Sequence, residues 1–286
     1  MKINKIIRRL LRCRDGESIT NLLWKKKIQV KKKVYHKEYT IEKIKEAFKA
    51  IDISSGDNLI VHCSWREFFN FTGTPKDVID LLIEMIGEDG NLAMPCYGDT
   101  VEEFDVHETK SCAGVLSEVF RRQYPIERSN CSHFSMAVFG PQSRELTSGQ
   151  INSESGFDRN ATYAKILELT PCKILFLGLG KYPLQITQMH IEEYRLRNEL
   201  TQCKELFLET YQANLLNTPE DGLTLQRVMV KRKSGRPNKK NRRLIYRGLK
   251  HYKHKKVGSV DIVLVDAEDA KISIDNLLKN NKLFSK

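Results

Sequence analysis

Residues 173–194 read Lys-Ile-Leu-Phe-Leu-Gly-Leu-Gly-Lys-Tyr-Pro-Leu-Gln-Ile-Thr-Gln-Met-His-Ile-Glu-Glu-Tyr. Residues 173–179 form an apolar run of strand length that ends at a glycine turn, as suits a strand covered on both faces. Beyond the turn, His190 and Glu193 stand three apart, so on a helix they share one face. A carboxylate that near can orient an imidazole and support the charge it gains as a base. A surface His/Glu pair has the same spacing, so the pair gains weight only from the rest of the chain.

Working outward, strand and helix patterns alternate. Residues 58–64 (Asn-Leu-Ile-Val-His-Cys-Ser) read as a buried strand. Thr74 can cap a helix with Pro75 in its first position and Asp77 near its positive end. Val78, Leu81, Leu82, Met85 and Ile86 then give the buried face, and Gly87 closes it. Strands follow at 91–97, 136–139 and 257–266, and helices at 114–123, 164–169 and 267–278. Residues 223–231 alternate as an exposed strand does. The pattern predicts an α/β fold: a mixed, largely parallel sheet flanked by helices. With no internal repeat, one domain over residues 40–286 is the simplest account. A basic extension, residues 1–39, precedes it, and a basic insertion, 229–256, interrupts it.

The chain has 286 residues, 40% hydrophobic and 29% charged, enough for a core that needs no staples. Its longest apolar run, 174–177, is too short to span a bilayer, and the N-terminus lacks the apolar stretch of a signal peptide. Seven cysteines, an odd set without a C-x-x-C pair, speak for a reducing cytoplasm and against a disulfide framework or a metal site. The net charge of +12 is unevenly placed. Residues 1–49 hold 16 Lys and Arg against 5 Asp and Glu, and residues 229–256 hold 13 against none, so the body between is acidic. Ile3, Ile6, Ile7, Leu10 and Leu11 fall at helical spacing among Lys and Arg. Such a basic amphipathic helix either docks on the body or meets an anionic membrane surface or a partner. Residues 25–39, with two Lys triplets, read as a solvated connector, and 231–256 as a basic loop or extension.

In its motifs the chain resembles the aminoglycoside 3-N-acetyltransferase family. The landmarks are Val61-His62-Cys63-Ser64-Trp65-Arg66, Thr72-Gly73-Thr74-Pro75 and Gly90-Asn91-Leu92-Ala93-Met94-Pro95. Phe104-Asp105, Gly114, Phe120-Arg121, and Arg128-Ser129 with Ser135 come next. Leu177-Gly178-Leu179-Gly180, then Thr187, His190 and Glu193, complete the family's order. The resemblance implies transfer of an acetyl group from acetyl-CoA to an amine, with His190 as general base and Glu193 as its partner. It also implies CoA contacts at Ser64, Trp65, Arg66, Gly73, Thr74, Ser135 and Thr187, and needs no metal. Two places depart from it: Cys131-Ser132 stand where the family has His-Pro, with His133 displaced, and the early loop carries Thr72-Gly73 in place of two glycines.

These residues suit the chemistry. The attacking nitrogen must lose a proton, which a neutral imidazole can take, and the carbonyl oxygen needs fixed donors. Cys131 invites a covalent route, although nothing beside it lowers a thiol pKa. His62 reads as structural. As acceptor the resemblance implies an aminoglycoside or an amino sugar made for surface polysaccharide; the acidic body would suit a polycationic antibiotic, and the basic segments a phosphate-bearing or membrane-adjacent acceptor. From a different class, a non-catalytic protein could use those segments on nucleic acid or an anionic membrane. Against nucleic acid, only Tyr246 and Tyr252 interleave the charges of 229–256, too few for a base-stacking surface.

Overall fold

The computed structural model describes residues 19–184, 186–218, 222–233 and 239–284; the basic stretch at 1–14 lies outside them. Strands in chain order are β1 (Asn58–Cys63), β2 (Asn91–Pro95), β3 (Glu103–Asp105), β4 (Glu127–Arg128), β5 (Met136–Phe139), β6 (Cys172–Leu177), β7 (Glu209–Leu216), β8 (Leu225–Lys231), β9 (Tyr252–Val257) and β10 (Val260–Asp266). The α-helices are α1 (Ile19–Val34), α2 (Ile41–Ala50), α3 (Pro75–Ile86), α4 (Val115–Gln123), α5 (Ser143–Ser148), α6 (Thr162–Leu167), α7 (Gln188–Arg195), α8 (Thr201–Lys204), α9 (Lys239–Arg247) and α10 (Ala267–Lys279).

Among the described residues, seven strands form one sheet in the order β4-β5-β2-β1-β6-β10-β9. β1 runs parallel to β2 and β6, whereas the outer pairings are antiparallel. The sheet is mixed, as expected, with its parallel part in the three central strands. Their residues are apolar in unbroken runs because helices cover both faces. Leu59, Val61, Leu175 and Leu177 pack with Phe48 of α2, Val78 and Leu82 of α3 and Phe120 of α4. On the other face Ile174 and Phe176 meet Met189 of α7, Ile245 of α9 and Ile274 of α10. Each such buried side chain is worth about 1.5–3 kcal/mol as an upper estimate. α3 starts as its sequence predicts: the Thr74 hydroxyl accepts from the Asp77 amide while the Asp77 carboxylate accepts from the Thr74 amide, a capping box.

Two expectations are corrected. Residues 25–39 are no solvated connector, for α1 runs to Val34, anchored by buried Ile28 and a Lys31–Glu67 ion pair. Lysine is a good helix former, so one anchored face is enough to hold the triplets helical. Likewise 231–256 is not a loop, because it contains α9 and edge strand β9. α9 has a short apolar face, Ile245 and Tyr246, and both are buried, so tertiary packing sustains a helix that composition hid. The lysines of β9 blunt an edge that could otherwise pair with another chain.

A second sheet, in the order β3-β7-β8, lies over its own core of Phe104, Cys131, Ala213, Leu215 and Met229. Main-chain bonds from Val230 to Glu154 (2.7 Å) and from Lys233 to Leu206 (2.6 Å) tie β8 and the residues after it to the body. Among the described residues no helix is long and apolar enough to cross a membrane.

Candidate active site

The carboxyl ends of β1 and β6 meet in two turns. The Ser64 amide donates to the Leu177 carbonyl at 2.8 Å, extending the strand pairing by one step. Gly178 has φ +69°, and a Cβ there would lie 2.8 Å from the Ser64 carbonyl oxygen, so this approach requires glycine. Open α/β sheets take ligands outside such strand ends. Of the residues expected at a cofactor, Arg66 is exposed and Ser64 half-buried beside this turn. Trp65 stacks on Phe68 at 4.5 Å and meets the edge of Phe71 at 6.0 Å. Gly73 packs so tightly that a Cβ would come within 2.5 Å of the Phe71 ring. Thr74 caps α3. Ser135 is fully buried, its hydroxyl donated to the Ser129 carbonyl at 2.7 Å, so it holds the β5 entry and offers nothing to a ligand. Thr187 sits at the α7 entry, where its carbonyl accepts from the His190 amide at 2.8 Å.

His190 and Glu193 come together on α7 as the spacing predicts. The imidazole Nδ1 lies 2.8 Å from Glu193 Oε2, and Glu193 has no exposed surface. Arg232, the first residue after β8, completes the arrangement: its Nε donates to Oε2 at 2.7 Å and Nη2 to Oε1 at 3.0 Å. A fork of this kind fixes the carboxylate in plane. With Nδ1 donating to Glu193, the neutral ring carries its free lone pair on Nε2. The side chain keeps 24% of its surface exposed, which leaves one edge open to a reactant. Phe157 packs edge-on against the ring at 5.4 Å and against His133 at 5.2 Å. An aromatic chain continues from Phe157 through Phe134 and Tyr163 to His62 at the end of β1.

The loop into α7 is held by α9. Arg242 Nη1 donates to the Leu184 carbonyl, and the Tyr246 hydroxyl donates to the Pro183 carbonyl at 2.5 Å. Arg232 and α9 escaped the sequence reading because neither stands at a meaningful spacing from His190; their one signal was an acid-free basic run. Cys131 is buried in the second sheet's core, where burial pushes its thiol pKa up.

The charges of this site follow from its burial. Burial pushes the His190 pKa down, Glu193 pulls it up, and Arg232 adds to the lowering; the net direction is down. For Glu193 burial raises the pKa, but His190 and Arg232 outweigh it and hold the carboxyl below its usual range. Burial brings His62 to about 4. It brings His133 to about 4 as well, assisted by the charges of His190, Lys231 and Arg232. Below pH 6.5 the unfolded chain takes up protons that these two folded imidazoles refuse. Stability is therefore expected to fall as pH drops from 6.5 towards 4, by roughly 3 kcal/mol for His62 and less for the partly exposed His133. Tm measured across that window should decline, and His62→Gln should flatten the decline; a level wild-type profile refutes it.

A cleft of about 1000 Å³ runs along the opposite face of α7, lined by Gln188, Ile191, Glu192 and Arg195 with Asp266 and Lys271. His190 and Glu193 do not line it. The cleft and the imidazole share Phe157 as a wall. Among the described residues no group of three or more His, Cys, Asp or Glu side chains could hold a metal ion.

The α/β scaffold thus carries a buried, doubly held carboxylate beside a partly exposed imidazole. The aminoglycoside 3-N-acetyltransferase profile matches residues 60–278. The chain belongs to this family of acyl-CoA-dependent N-acyltransferases. No curated protein sequence is detectably similar. Among solved structures, a histidine-to-alanine mutant of aminoglycoside acetyltransferase AAC(3)-IVa in complex with a gentamicin shares 21% identity over 87% of this chain and 92% of that one, with a TM-score of 0.71. AAC-IIIb, binary with CoASH, shares 19% identity over 85% of this chain and 97% of its own, with a TM-score of 0.66. The YokD protein from Bacillus subtilis shares 18% over 85% and 95%, with a TM-score of 0.68. At these identities the likeness establishes the fold.

Proposed function

We propose that this chain moves an acetyl group from acetyl-CoA directly to an amine of an aminoglycoside or amino sugar, with His190 as general base. The amine nitrogen attacks the thioester carbon as Nε2 of His190 takes its proton. The C–N bond forms, the C–S bond breaks, and the departing thiolate leaves as the free thiol by taking a proton back from the imidazolium. Glu193 keeps the ring in the required tautomer and supports its transient charge, and Arg232 fixes Glu193 in turn. Ser64 and Arg66, just past the end of β1, and Thr187, at the entry to α7, are the residues we assign to the cofactor side. Trp65, Gly73, Thr74 and Ser135 support the same region through packing, capping and buried hydrogen bonds.

The observation that carries this reading is the His190–Glu193–Arg232 chain of charge-assisted bonds ending at a partly open ring. Family membership and the CoASH and gentamicin complexes of similarly folded proteins support the choice of donor and acceptor class. Thiol release from acetyl-CoA is expected with gentamicin-type or kanamycin-type acceptors or with nucleotide-linked amino sugars, and comparing them identifies the acceptor. If no amine releases thiol and calorimetry detects no CoA binding, the proposal fails.

A further inference from the structure

Helix α1 contains six lysines, Lys25, Lys26, Lys27, Lys31, Lys32 and Lys33, and no acidic residue. Its inner side is anchored: Ile28 is buried, Lys31 pairs with Glu67, and Tyr35, just past the helix, accepts from Lys256 Nζ at 2.6 Å. Its outer side is the reverse of an ordinary surface helix. Leu23, Val30 and Val34 are 50%, 63% and 65% exposed. At 100° per residue these three lie within about 40° of one another, on the side away from Ile28. On the same projection Lys26 and Lys33 border the stripe on one side and Lys27 on the other, and all three are exposed.

An apolar stripe between lysines is the pattern of a helix lying in the surface of a bilayer. There the aliphatic side chains enter the acyl boundary, and the long lysine stems let their ammonium groups reach headgroup phosphates. A duplex nucleic acid would satisfy the lysines and leave the three aliphatic side chains facing water. The neighbouring surface continues the charge. The contact between Tyr35 and Lys256 sets the β9 edge beside the end of α1, and a shallow groove there is bordered by Lys37, Lys43, Lys255 and Lys256, with Glu38 and Glu46 as its acids. We infer that α1 docks this protein on an anionic lipid surface, with Leu23, Val30 and Val34 inserted and Lys26, Lys27 and Lys33 at the phosphates. This assignment is independent of the acyl-transfer reading.

The test is sedimentation of the full chain with vesicles of phosphatidylcholine, with and without phosphatidylserine. Binding is expected with the anionic vesicles and weakening with added salt. The triple variant Leu23→Ser, Val30→Ser, Val34→Ser should lose about tenfold in partitioning. The variant Lys26→Glu, Lys27→Glu, Lys33→Glu should lose at least about fivefold per lysine. All six positions are exposed, so melting curves are expected to match wild type and exclude misfolding as the cause. Three results overturn the inference. Partitioning could be absent, or indifferent to both variants. Duplex DNA could bind as tightly as the vesicles and be insensitive to the serine variant, which assigns the face to nucleic acid. A wild-type dimer could dissolve in the serine variant, which assigns it to a second copy.

Discussion

His190→Ala is expected to lower kcat by at least ~10²-fold while leaving CoA affinity nearly unchanged, the loss that follows removal of a general base. The expectation rests on position as well as chemistry. Nδ1 of the ring is committed to Glu193 at 2.8 Å, so the reactive lone pair points away from the carboxylate and towards the exposed edge. In the wild-type protein burial keeps the ring neutral, with its pKa below the ordinary imidazole value. The acid limb of kcat/KM should accordingly lie below pH 6.5 and disappear in the alanine variant's residual rate. A variant that turns over at close to the wild-type rate would remove His190 from the reaction.

Arg232→Met should act through the histidine. The guanidinium donates two bonds to Glu193 beside the one from the His190 ring, and its charge also lowers the His190 pKa. Without it the carboxylate has only the imidazole to neutralise it, so the His190 pKa rises. At neutral pH more of the ring is then protonated and unable to act as base, and the acid limb of kcat/KM moves to higher pH. Stability changes with the opposite sign. Breaking one side of a buried pair costs about 3–5 kcal/mol when nothing replaces the lost charge. In this variant the protonated His190 replaces it. That contribution is fully present below pH 6.5 and is lost as pH rises through the new, higher pKa of the folded state. The variant should therefore be most destabilised in alkaline solution. Arg232→Lys, which keeps the charge but not the fork, should move both profiles less. An unshifted acid limb in the methionine variant, measured together with a stability loss, would reduce Arg232 to a packing residue.

The sequence exposed most of the central sheet and only part of what surrounds it. β1, β2, β5, β6 and β10 were visible because two-sided burial writes itself as short unbroken apolar runs. α3 was visible because Thr74, Pro75 and Asp77 are each chemically suited to a helix start. The segment Glu209–Leu216 was missed because in β7 only Ala213 and Leu215 are buried, so its pattern is that of a polar loop. α9 was missed because lysine and arginine fill most of it and its anchors, Ile245 and Tyr246, are adjacent and do not repeat. His190 and Glu193 are local partners on one helix and could be paired from spacing. Their support came from residues distant in the chain. Arg232 lies 39 residues beyond Glu193, and the contact exists only once the second sheet is folded against the body.

That contact bears on how the protein can be altered. A stretch so rich in cations, lying outside the family's shared motifs, is a natural target for shortening when a less charged, better-behaved sample is wanted. Excising it would take away the clasp on Glu193 together with the struts at Pro183 and Leu184. The shortened chain would keep His190 and Glu193 and lose the bonds that hold the pair and its entry loop in place.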